Sequence, residues 1–152
     1  MNPKNRFDVI LIIYYGLIQT AHLVALVWSF VLFQKSGELT LLAWPPAGGW
    51  SEQARHFLIT VGTVDAVNVL LSLLFVYGYF SGKRWWFWLG VTALTISMME
   101  ALIYTPGTLV SGAWSQHFAE YALLVVLYVP IVLLYLRVAG IGLRERYFGK
   151  SP

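Results

Sequence analysis

The chain has 152 residues, 59% apolar and 11% charged, with a net charge of +3 and no cysteine. That length suits a single domain, and the missing cysteine excludes a disulfide exchanger, a thiol nucleophile and a cysteine-ligated metal or cluster. The charges sit between long apolar runs, and no basic patch interleaved with exposed aromatics speaks for a nucleic-acid partner.

The first apolar run covers 9–33. It is too long for a signal-peptide core and lacks a small-residue cleavage site, so it reads as a retained first helix. Three more runs follow at 57–80, 85–103 and 118–138. About 20 apolar residues suffice to cross a hydrocarbon core about 30 Å thick. Helices satisfy their own backbone hydrogen bonds in lipid, and no alternating pattern points to a membrane barrel. The expected fold is therefore all-α, an integral membrane four-helix bundle forming one transmembrane domain over 1–152.

The connections carry their own signals. The longest, 34–56, has an apolar middle at 39–50 that ends in Pro45-Pro46, Gly48-Gly49 and Trp50. Proline and glycine pairs predict an irregular segment, and its apolar residues suit a loop that dips into the interface or lids the bundle. Helix three is expected to stop near Thr105-Pro106-Gly107. Lys4, Arg6, Lys83, Arg84, Arg137, Arg144, Arg146 and Lys150 fall on one side of a four-span topology. Lys35 and Arg55 fall on the other, with Glu38 and Glu52. This asymmetry predicts that both termini and the 81–84 turn are cytoplasmic. Trp85, Trp86 and Trp88 at one end, and Trp44, Trp50 and Trp114 at the other, fit the two aromatic belts of a bilayer. Trp28, inside helix one, is left as a candidate pocket wall.

Against this background three acids stand out: Asp65, Glu100 and Glu120 lie in or beside apolar runs. A carboxylate in hydrocarbon is costly, which makes each a functional-site hypothesis. Depth counting at 1.5 Å per residue puts His22 about 20 Å along helix one. Asp65 comes about 13 Å below the outer surface on helix two, and Glu100 about 22 Å along helix three. All three fall in the outer half of a core about 30 Å thick. Glu120 and His117 lie nearer the surface.

Helical spacing adds Asn68 beside Asp65, and Gln19 beside His22. Met98 and Met99 flank Glu100, and Tyr14, Tyr15, Tyr104, Tyr121 and Tyr128 bring hydroxyls. Such residues would build an apolar pocket with a few convergent polar groups. Asp65, Glu100 and His22 are the candidate catalytic residues. Glu120, Asn68, Tyr104, Tyr128, Trp28 and Met99 are the candidate substrate contacts. Removing a carboxyl group from water favours its neutral form, which can donate a proton to a lipophilic substrate while a nearby carboxylate accepts one. The bland alternative is that each acid pairs with a His or Tyr on a neighbouring helix and holds the bundle together.

The chain resembles the EXPERA family of four- or five-helix membrane proteins, which includes emopamil-binding sterol isomerases and the sigma-two receptor. The resemblance rests on several features: the long outer loop with Pro45-Pro46 and Trp50, Asp65 early in helix two, the turn Ser81-Gly82-Lys83-Arg84-Trp85, and Tyr128-Val129-Pro130 in helix four. It implies that Asp65 and Glu100 protonate a ring double bond and remove a neighbouring proton, in a pocket that also takes lipophilic amines. Those isomerases place a histidine one turn before the helix-two acid. Here that position is Val61, and His22 is the residue that could substitute. Pro130 would open space beside Tyr128.

The implied partners are a hydrophobic sterol- or terpenoid-type ligand and membrane lipid, with no cofactor and no metal. Two other classes stay open. A proton-coupled small-molecule transporter would also use intramembrane acids, and so small a chain would then work as a homodimer. A b-type cytochrome would need His56 and His117 to clamp a haem near the outer surface.

Overall fold

The computed structural model describes residues 5–37 and 44–148, with side chains as far as 141. Lys4, Glu38, Lys150 and the 39–43 part of the outer loop, which entered the orientation and lid readings, lie outside the described residues, as do the side chains of Arg144 and Arg146. The chain is all-helical: α1 spans Arg6–Ser36, α2 Glu52–Phe80, α3 Trp86–Val110 and α4 Phe118–Phe148, with a 3₁₀ turn at Ala113–Ser115 before α4. All four are long and apolar enough to cross a membrane. Each packs on its neighbours in chain order, and α4 closes back on α1.

Helix ends differ from the apolar runs for local reasons. Asn5 caps α1 through a hydrogen bond from the Phe7 amide at 3.1 Å. Gly37 ends it in the left-handed region (φ 69°), its amide bonding to the Phe33 carbonyl at 2.8 Å. Ser51 accepts from the Ala54 amide, so α2 starts at Glu52, five residues before its apolar run. The expected stop at Pro106 does not occur, and α3 runs through it to Val110. A proline is tolerated inside a membrane helix, although it leaves the carbonyl four residues back, that of Leu102, without its helical donor. Two residues after Pro106, Thr108 Oγ1 donates to the carbonyls of Tyr104 and Thr105. The chain turns instead at Gly112, with φ 79°.

The bundle hides its polar groups and shows its apolar ones, as a membrane protein does. Ile10, Leu17, Val24, Val27 and Phe30 of α1 are all exposed, whereas Asp8, Gln19, Asn68, Ser72, Ser97 and Thr108 are buried. The core towards the end that holds the α2–α3 turn is apolar, with Leu11, Ile12, Tyr15, Phe75, Leu94, Ile131, Leu134 and Val138 packed together. Gly90 allows a close α2–α3 approach. A methyl group there would lie 2.7 Å from the Phe75 ring.

Candidate intramembrane site

Three helices carry polar residues at heptad spacing, which keeps them on one face. They are Asp8, Tyr15 and His22 on α1, Asp65 and Ser72 on α2, and Ser97 and Tyr104 on α3. The antiparallel register of α1 and α2 is fixed by two contacts. Tyr15 Oη lies 2.6 Å from Ser72 Oγ, and one heptad further along α1 His22 Nε2 lies 2.7 Å from Asp65 Oδ2. The second is short enough for a charge-assisted hydrogen bond. Between these levels, Asn68 Nδ2 donates to Ser97 Oγ at 2.9 Å and to Glu100 Oε2 at 3.1 Å. Tyr15 Oη is also 3.2 Å from Ser97 Oγ, and the Tyr128 hydroxyl of α4 donates to the Ser97 carbonyl. Glu100 lies within electrostatic reach of both Asp65 and His22.

The hydrogen bonds have a direction. Ser72 Oγ donates to the Asn68 carbonyl at 2.7 Å, so it accepts from Tyr15. Ser97 then donates to Tyr15 and accepts from Asn68. The result is a closed ring from the Asn68 amide through Ser97, Tyr15 and Ser72 to the Asn68 backbone, with every donor used. Around this ring, Gln19 Oε1, Asn68 Oδ1 and Glu100 Oε1 are buried and receive no hydrogen bond among the described residues.

The structure thus brings His22, Asp65, Asn68, Glu100 and Tyr128 into one neighbourhood. Other expected contacts lie elsewhere. Trp28 is 64% exposed and faces outward, because six residues after His22 the helix has turned away from the inner stripe. It is no pocket wall. Met99 is likewise 52% exposed, one position off the Glu100 face, while Met98 packs on the core.

Glu120 sits in the first turn of α4, 3.6 Å from His117 Nδ1, and Tyr104 packs its ring 6.4 Å from Tyr121. His117 also lies against Trp44, and His56 lies 3.8 Å from Glu52, so each of these imidazoles has a carboxylate neighbour in its own stretch of chain. Among the described residues, no three His, Cys, Asp or Glu side chains gather as a metal cluster.

Sequence reasoning missed two features. Ser72 and Ser97 join Tyr15, already named for its hydroxyl, as the hub of the network, and the heptad spacing from Asp65 was the signal for Ser72. Asp8, 1% exposed, accepts from Arg137 Nε at 2.7 Å and ties α1 to α4. Tyr14 makes a second tie, donating to the Leu127 carbonyl at 2.7 Å. That carbonyl lies three residues before Pro130, where the helix ladder is interrupted.

The loop between α1 and α2 is held at both described ends. Arg55 donates to the Gly37 carbonyl and Tyr121 to the Trp44 carbonyl, each at 2.9 Å. No family model matches the chain, and no curated protein or solved structure matches it.

Proposed function

We propose that this chain is a multi-pass membrane protein, both termini cytoplasmic, that takes a hydrophobic sterol- or terpenoid-type ligand between its helices, as an isomerase-like enzyme or a binder. One observation carries the reading. Two carboxyl groups from different helices stand at one depth in an apolar bundle, and Glu100 keeps an oxygen that no group among the described residues engages. A purely structural acid would have its lone pairs filled by its neighbours.

The chemistry that suits this pair is a double-bond shift. Glu100, as a neutral acid, gives its proton to one alkene carbon and leaves a cation on the next. Asp65, oriented by His22, removes a proton from the carbon beyond, and the electrons of that C–H bond form the new double bond. The proton count closes when the pair returns its proton to Glu100. No oxidant or cofactor is needed. The Tyr128 ring offers a π face to the transient cation. The resemblance to the EXPERA family supports the same roles for Asp65 and Glu100, with His22 on α1 in place of the histidine that Val61 replaces.

The test is binding of a radiolabelled lipophilic amine, a mimic of the cation, to purified protein in nanodiscs. Asp65→Asn and Glu100→Gln should each lose binding at least tenfold while still inserting and remaining monodisperse. Parent-like binding by both variants overturns the reading. Ligand-driven proton uptake in liposomes would move the acids to a transporter instead.

A further inference from the structure

Arg137 plays no part in the double-bond chemistry, yet its guanidinium is held in place. Its Nε donates to Asp8 Oδ1 at 2.7 Å, and its guanidinium carbon lies 5.8 Å from the centre of the Phe7 ring. Asp8 is 1% exposed, so the group that holds the arginine is itself fixed in the bundle. The Arg137 side chain remains 43% exposed, and neither Nη1 nor Nη2 makes a hydrogen bond among the described residues. The planar fork is clamped through Nε and unspent at both Nη groups.

Depth says what lies opposite that fork. At 1.5 Å per residue, Arg137 comes about 28 Å along α4 from Phe118, close to the full thickness of a hydrocarbon core of about 30 Å. Asp8 is in the first turn of α1, and the neighbouring Val138 packs with Leu11 at the end that holds the α2–α3 turn. A guanidinium at that boundary meets lipid phosphates, whose paired oxygens match its two Nη groups. Asp8 and Phe7 have already fixed the side chain, which lowers the cost of ordering it around a phosphate. Arg6, Lys83 and Arg84 are exposed at the same end. Asp8 cancels the charge of Arg137, so these three supply the positive field and Arg137 supplies the direction. A zwitterionic headgroup would bring its own cation into that field, and an anionic one does not. We infer that this end of the bundle holds an anionic phospholipid, its phosphate seated on the Nη edge of Arg137. The inference rests on the membrane reading and is independent of the acid pair and its ligand.

The test titrates the delipidated full chain in detergent with phosphatidylglycerol, phosphatidylcholine or diacylglycerol, read by native mass spectrometry. The parent should bind phosphatidylglycerol about fivefold or more tighter than phosphatidylcholine, the scale of one cation near an anionic membrane surface. Diacylglycerol, which has no phosphate, should bind more weakly still. Asp8→Asn/Arg137→Met removes the fork without changing the net charge. It should weaken phosphatidylglycerol binding about tenfold, the scale of one hydrogen bond to a charged group. Should that variant not assemble, Arg137→Lys keeps the charge, gives up the planar fork, and should weaken binding about threefold or more.

Equal affinity of the parent for phosphatidylglycerol and phosphatidylcholine overturns the anionic lipid. Unchanged affinity in the charge-neutral variant, or in Arg137→Lys where that variant is not obtained, overturns the seat on Arg137. Displacement of the lipid by excess inorganic phosphate overturns the lipid as occupant and assigns the fork to a free anion. A chain that stays monodisperse without detergent overturns the membrane reading itself, an outcome distinct from the other three.

Discussion

Replacing Arg137 with methionine leaves Asp8 buried without its cation, and the consequence can be worked from the geometry. Asp8 is 1% exposed in the first turn of α1, and Arg137 Nε donates to it at 2.7 Å across to α4. Breaking one side of a fully buried pair typically costs about 3–5 kcal/mol. Arg137 is 43% exposed, so water already screens part of the attraction and could reach part of the site after substitution. The lower figure of about 2 kcal/mol is therefore expected.

Asp8→Asn removes the charge with the cation left at the surface, and should cost about 1 kcal/mol. The double variant Asp8→Asn/Arg137→Met has neither the stranded carboxylate nor the unpaired cation. It should recover at least half of the Arg137→Met loss. A four-way cycle of unfolding free energies in mixed micelles measures the coupling. Costs that simply add would refute the claim that this pair joins the first helix to the last.

Three further outcomes follow. Tyr15→Phe removes the hydroxyl that links Ser72 and Ser97, and should lower stability by about 0.6–1.7 kcal/mol, the range of interhelical hydrogen bonds in membranes, measured by unfolding in the same micelles. Gly90→Ala puts a methyl group against the Phe75 ring and should cost about 1–3 kcal/mol, a larger loss than the substitution brings on the lipid-facing surface. Tyr121→Phe cuts the hydrogen bond to the Trp44 carbonyl, and limited proteolysis of the outer loop should quicken several-fold, with helix content unchanged by circular dichroism.

The four spans are legible in the sequence because lipid demands long apolar helices and little else at these positions. Their ends are less so. Pro106 reads as a stop in water, but a membrane helix tolerates an internal proline, and α3 continues to Val110. Depth counting put His22, Asp65 and Glu100 at one level, and in the fold His22 and Asp65 touch. Depth alone says nothing of direction around the helix, which is why Trp28 and Met99 seemed inward and face outward.

Ser72 and Ser97 escaped notice because a neutral hydroxyl costs little in a hydropathy pattern, although with Tyr15 they set the ring that orients Asn68. Asp8 escaped for another reason. An acid in the first turn of a helix is explained by the helix dipole alone, and its partner lies 129 residues away.

The central claim is that an apolar molecule sits between the carboxyl groups of α2 and α3. Extraction of the purified parent and of the Asp65→Asn/Glu100→Gln double variant, followed by mass spectrometry at equal protein, tests it most directly. The account predicts a sterol- or terpenoid-class compound near stoichiometry with the parent and largely lost from the variant. Identical extracts holding only bulk phospholipid would contradict it.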